Sequence, residues 1–174
     1  MGVVLRAAAA RSYTIALSFA LASPLVTAQA RAASLPVDAC ALLTQAEVAG
    51  LLGRPALPGV REQAANLATC SFGDPDAPKI GGRPASQVLT LAVLTGQEGA
   101  YAAGPVAQAR DAYETARRSA ASSEAVAGLG ESAYWDKVFR TLSVLKGRYF
   151  VSVELDAGVE TAKRAAQKAL ARLP

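Results

Sequence analysis

The chain has 174 residues, of which 52% are hydrophobic and 18% charged, and its formal net charge is +4. That length fits one domain plus a small extra, and that composition excludes a disordered chain. Histidine is absent, which removes the commonest general base and the commonest metal ligand together and disfavours Ser-His and Cys-His nucleophiles.

The N-terminus has three parts. Arg6 and Arg11 form a basic region, Tyr13 to Val26 an apolar core, and Pro24 with Ala28-Gln29-Ala30 a helix breaker and a small-x-small site. We read residues 1–30 as a secretory signal peptide cleaved after Ala30, and residues 31–37 as a flexible lead. The rival reading is an uncleaved anchor over Ser12 to Ala30, which is uncharged but contains Ser, Thr, Gln and Pro. Cleavage would remove two arginines and no acid, so the mature chain would be less basic than the sequence pI of 9.3 implies. No run of Lys or Arg marks a nucleic-acid patch.

A single domain is expected over 38–174. Thr44-x-x-Glu47 is a capping box, flanked by a Leu43/Val48 staple, and it opens a helix that ends at Gly53 before Pro55. Arg54 to Asn66 reads as a connector and Leu67–Phe72 as a short strand. Gly73–Ser86 reads as a long Pro/Gly loop. In it Asp74 and Asp76 lack the further oxygen ligands that a cation needs. Ser86–Thr95 is apolar on both faces, as a central strand would be. A second helix starts at Gly104-Pro105, with Val106, Ala109, Tyr113, Ala116 and Ala120 on one face and Arg110, Glu114 and Arg118 able to pair on another. Three antiparallel strands follow near 132–135, 138–145 and 149–155, the last two joined by a two-residue Lys146-Gly147 turn. In that register Val144 opposes Tyr149. One face carries Val138, Arg140, Leu142, Val144, Tyr149, Val151, Val153 and Leu155. The other carries Thr141, Ser143, Ser152 and Glu154 with Phe139 and Phe150. A last helix spans Gly158 to Leu173, with Glu160 able to pair with Arg164. This order predicts an α+β fold: an antiparallel sheet of about four to five strands backed by helices.

The chain has two cysteines, Cys40 and Cys70. Cys40 lies far past the apolar core with Arg31 and Asp38 between, unlike a lipid anchor. Two distant cysteines without histidine make a poor metal site. A lone reactive thiol is the remaining alternative. Pairing is the default in an oxidising compartment, so one disulfide is expected.

Two blocks carry a resemblance. Val37-Asp38-Ala39-Cys40-Ala41-Leu42-Leu43-Thr44-Gln45-Ala46-Glu47-Val48 resembles the Asp-Pro-Cys-x-Leu-Leu-Thr-x-x-Glu-Val opening of a family of exported bacterial domains and lipoproteins of unknown function, common in actinobacteria. Ala125 to Trp135 is similar to its Gly-Leu-Gly-acid-x-Ala-x-Trp block. Ala39 stands where that family has proline. The resemblance implies a disulfide between the two cysteines and an envelope location; it supplies no catalytic residues, because that family has no settled activity. Related secreted domains add the expectation of a curved sheet of the Mog1/PsbP-like kind.

Gly128-x-Gly130 lacks the third glycine and the strand-to-helix setting of a dinucleotide site. Glu131, Asp136, Glu154 and Asp156 include candidates for a carboxylate pair. Arg140, placed among apolar neighbours, is the odd residue. A ligand site is therefore expected where Gly128, Gly130 and Trp135 meet Arg140 and Tyr149. The expected function is a non-enzymatic exported module with no metal, cofactor, nucleic acid or lasting membrane anchor, binding an envelope protein or a small ligand. The alternative is a small histidine-free hydrolase.

Overall fold

The structure is a computed structural model, described here for residues 37–99 and 103–174. The segment read as a signal peptide and most of the expected lead lie outside the described residues, although Val37 is already buried in the core. Helices α1 (Ala39–Leu42), α2 (Gln45–Leu52), α3 (Pro105–Ser119) and α4 (Val159–Ala171) surround one large sheet. Its strands are β1 (Val60–Ala64), β2 (Leu67–Gly73), β5 (Gln87–Thr95), β6 (Ser123–Ala125), β7 (Ser132–Asp136), β8 (Thr141–Lys146) and β9 (Tyr149–Leu155). Spatial order is β1-β2-β5-β9-β8-β7-β6, antiparallel throughout. A separate small hairpin pairs β3 (Lys79–Ile80) with β4 (Arg83–Pro84). The α+β class is as expected. The strand count is not: the main sheet has seven strands rather than four or five.

The extra strands come from two segments. The connector contains β1, and the stretch after α3 contains β6; every residue of both is exposed. Neither buries an apolar stripe, so neither shows the period-2 alternation that marks a strand. Backbone pairing with β2 and β7 holds them. The Pro/Gly loop likewise contains the small β3–β4 hairpin.

Helix α2 starts as its sequence dictates. The Thr44 Oγ1 accepts from the Glu47 N–H, the Glu47 carboxylate accepts from the Thr44 N–H, and Gly53 closes the helix at φ +67°. Leu43 and Val48 are fully buried. An extra turn, α1, precedes it. Asp38 caps α1 by accepting from the Cys40 N–H and also pairs with Arg61 on β1.

The register makes the two sheet faces unequal. Ala68, Cys70, Phe72, Leu89, Leu91, Val93, Val151, Val153, Leu142, Val144, Ala133 and Trp135 share one face. They form the main core with buried residues of α1, α2 and α4. The other face carries only α3, which builds a smaller cluster of Ala109, Tyr113, Tyr134 and Leu145. Tyr113 packs edge-on to Phe150, and its hydroxyl lies 2.8 Å from that of Ser132.

Two sequence expectations about the β8–β9 hairpin are corrected. The turn is Gly147-Arg148, so Val144 opposes Val151 rather than Tyr149. Gly147 takes the positive φ, +55°, at the first turn position, where a type II′ turn wants glycine. The pairing slips by two residues, and an even slip leaves every side chain on its expected face. Second, β8 begins at Thr141, not at 138. Lys137–Arg140 is a loop, in which Val138 and Phe139 are 61% and 62% exposed. Arg140 closes it at φ +50°, so it does not lie on an apolar strand face. The expected helix-face ion pairs also differ: Glu160 pairs with Lys163, and Arg110 with Glu131.

Candidate functional site

Cys40 and Cys70 form a disulfide, with Cα atoms 5.0 Å apart. Gly59 lies so close that a Cβ there would collide with the Cys70 Sγ and crowd the Cys40 Sγ. The bond is therefore roofed by backbone.

The five other expected site residues do not form one cleft. Arg140 stands at one end of β8, and Tyr149 opposes Lys146 at the other, about 20 Å away at ~3.3 Å per residue. Trp135 is buried in the main core. Gly128 and Gly130 belong to a buckle at the Tyr149 end. The Glu131 N–H donates to the Leu145 carbonyl (2.7 Å), and the Glu131 carboxylate accepts from the Gly147 N–H (2.7 Å) and from Arg110 (2.9 Å). A side chain at Gly130 would strike the Leu145 carbonyl, and Leu129 is buried in the core. The Tyr149 hydroxyl donates to the Pro174 carbonyl (3.2 Å). Of the five, Arg140 alone lines one of the cavities described below.

Two cavities share Phe139 in their lining. One, of about 240 Å³, lies between the C-terminal end of α3 and the sheet and is lined by Ser119, Tyr134, Asp136, Ser143, Phe150 and Ser152 among others. The other, of about 290 Å³, lies at the ends of β5 and β9, between Gln87, Thr90, Arg140, Glu154 and Asp156. Their shared floor follows from the register. Thr90, Glu154, Thr141 and Asp136 are cross-strand neighbours in one row; Ala92, Ser152, Ser143 and Tyr134 form the next. Both rows lie on the face that α3 only partly covers.

The loop between the cavities is held from below. Asp136 is buried, and its Oδ1 accepts from the N–H groups of Val138 (2.8 Å) and Phe139 (3.2 Å). The Thr141 hydroxyl donates to the Phe139 carbonyl (3.0 Å), and Arg140 pairs with Asp156. Burial pushes the Tyr134 phenol up, against a hydrogen bond with Ser143 that lowers it, so the phenol stays neutral at physiological pH. The Glu154 carboxylate is exposed and has no hydrogen-bond or ion-pair partner among the described residues.

Among the described residues no cluster of His, Cys, Asp or Glu suits a metal ion, and no helix is long and apolar enough to cross a membrane. Asp74 is engaged by Arg54 at 3.0 Å and by the Asp76 N–H at 2.9 Å. Glu154 and Asp156 share a cavity, but Asp156 is tied to Arg140. No family profile, no curated protein and no solved structure matches the chain.

Sequence reasoning had put Thr141, Ser143, Ser152 and Glu154 on one face with Phe139 and Phe150. What it lacked was the position of α3, which turns part of the polar face into a wall and leaves the rest as a floor.

Proposed function

We propose that the chain is an exported, non-enzymatic binding module of the bacterial envelope, periplasmic or secreted, and that it binds through the groove at Phe139. The observation that carries this is the Lys137–Arg140 loop. It displays two exposed hydrophobic side chains beside two cavities, yet is braced by a buried carboxylate and an ion pair. Exposed apolar groups on a braced loop have little entropy left to lose on binding, which favours recognition. Support for export comes from the N-terminal pattern and the disulfide, a bond rare outside oxidising compartments. The resemblance to exported bacterial domains, with a Mog1/PsbP-like sheet, belongs to the same reading.

Native mass spectrometry of the protein purified from its own envelope tests the proposal. A retained small molecule or a stoichiometric partner is expected with wild type. It should be lost from Phe139→Ala at unchanged melting temperature. Retention by that variant, or bare protein in both samples, overturns the assignment of the groove. The histidine-free hydrolase alternative would rest on Glu154 and Asp156. It predicts bond cleavage in envelope material, abolished by Glu154→Gln.

A further inference from the structure

We infer that the groove is built for an uncharged saccharide, an inference that rests on its being a binding site. The argument begins with which groups remain able to bind. The Thr141 hydroxyl donates to the Phe139 carbonyl and that of Thr90 to the Gln87 side chain (2.6 Å), so both oxygens face a ligand as acceptors. Glu154 offers an unengaged carboxylate. Ser152 contributes a hydroxyl, which both donates and accepts. Arg140 still has guanidinium N–H groups beyond those used on Asp156. Acceptors, donors and groups of both kinds are thus spread along two cavities that share Phe139.

Charge narrows the choice. Asp136, Glu154 and Asp156 stand against Arg140, so the lining is net negative. Such a field repels phosphates, nucleotides and acidic glycans. A simple ammonium would meet the charge but is a donor only, and it would leave the Arg140 donors and the aromatic surface unused. The exposed Phe139 ring and the half-buried Phe150 ring supply flat apolar faces beside the polar row. A pyranose ring has that same division: an apolar C–H face and a rim of hydroxyls that donate and accept. Carboxylates are strong acceptors for such hydroxyls. Each cavity, at about 290 and 240 Å³, comes close to the lower end of the roughly 300–1,000 Å³ typical of small-molecule sites, room for about one sugar ring on either side of Phe139.

Ligand-observed NMR on the disulfide-intact chain tests this. The probes are neutral tetrasaccharides of glucose, mannose and N-acetylglucosamine, anionic tetragalacturonate, cationic tetraglucosamine and a set of non-sugar aromatic fragments. At least one neutral tetrasaccharide should bind with a millimolar or tighter Kd. Phe139→Ala and Glu154→Gln should each weaken it by about tenfold, the scale of one lost stacking or charged hydrogen-bond contact, without a change in melting temperature. Failure of every neutral tetrasaccharide, binding of the charged probes alone, or equal binding by both variants overturns the inference. If aromatic fragments bind through Phe139 while no neutral sugar does, the groove survives as a site and only its saccharide assignment falls. If neither class binds, the saccharide inference falls, and the binding role of the groove stands or falls with the native mass spectrometry result.

Discussion

Glu47 shows how much one side chain can hold. It completes the α2 capping box and also receives Arg172 through both guanidinium nitrogens (2.7 and 2.8 Å) and Lys168 (3.2 Å), both near the end of α4. Arg172 further donates to the Leu42 carbonyl at 2.9 Å. The hydrogen bonds from Arg172, then that from the Thr44 backbone, hold the Glu47 carboxyl far below the usual carboxylate range. A depressed carboxylate contributes stability that is present above its unfolded pKa, about 4.3, and is lost as pH falls toward its lower folded value. Glu47→Gln keeps the capping box, which glutamine also completes, but loses the charge in the contacts with Arg172 and Lys168, so it should destabilise the fold by about 1 kcal/mol at pH 7. That gap should close as pH drops below about 4, because protonated Glu47 resembles glutamine. Urea midpoints across pH for both proteins decide it, and a pH-independent gap would refute the account. The capping box was legible from Thr44 and Glu47 alone. The link to Arg172 was not, because a contact spanning 125 residues leaves no local pattern.

Elements were legible where they bury something. The β2, β5, β7, β8 and β9 strands and the three longer helices carry apolar residues at the spacing their geometry requires, and the sequence predicts all of them. The β1 and β6 strands bury nothing and were missed. The hairpin turn went to the wrong pair because glycine was placed second rather than first in the loop. Parity protected the face assignment, yet the extended reading of β8 runs through a loop whose apolar Val138 and Phe139 resemble strand residues, and so misplaces Arg140. The expected site residues lie apart for that reason: Arg140 and Tyr149 stand at opposite ends of the β8–β9 hairpin. At this same scale the disulfide staples the one-turn α1 to β2. A four-residue helix has almost no stability of its own, so α1 depends on that link and on Asp38. On the chain-entropy account a loop of this size contributes roughly 3–4 kcal/mol. Guanidinium unfolding with and without reductant should show a loss of that order. Coincident midpoints would mean that the bond adds nothing.

At the scale of the whole molecule, the α+β class followed from element order, but the division of labour between the two faces did not. Both sides of the sheet receive helices, and only packing reveals that one side is a deep core and the other a shallow cluster. Helix α4 buries Ala162, Ala165, Ala166, Ala169 and Leu170, whereas α3 buries only Ala109 and Tyr113. Local opening draws on the elements with the fewest buried contacts. Amide hydrogens of α3 should therefore exchange with deuterium well before those of α4, in a step that leaves the sheet protected; a single shared exchange rate would contradict this. The groove is then a rigid floor beneath a wall that can lift. A molecule lodged against α3 would slow that lifting, so occupancy should register first as slower exchange along one helix, with no displacement of the strands beneath it.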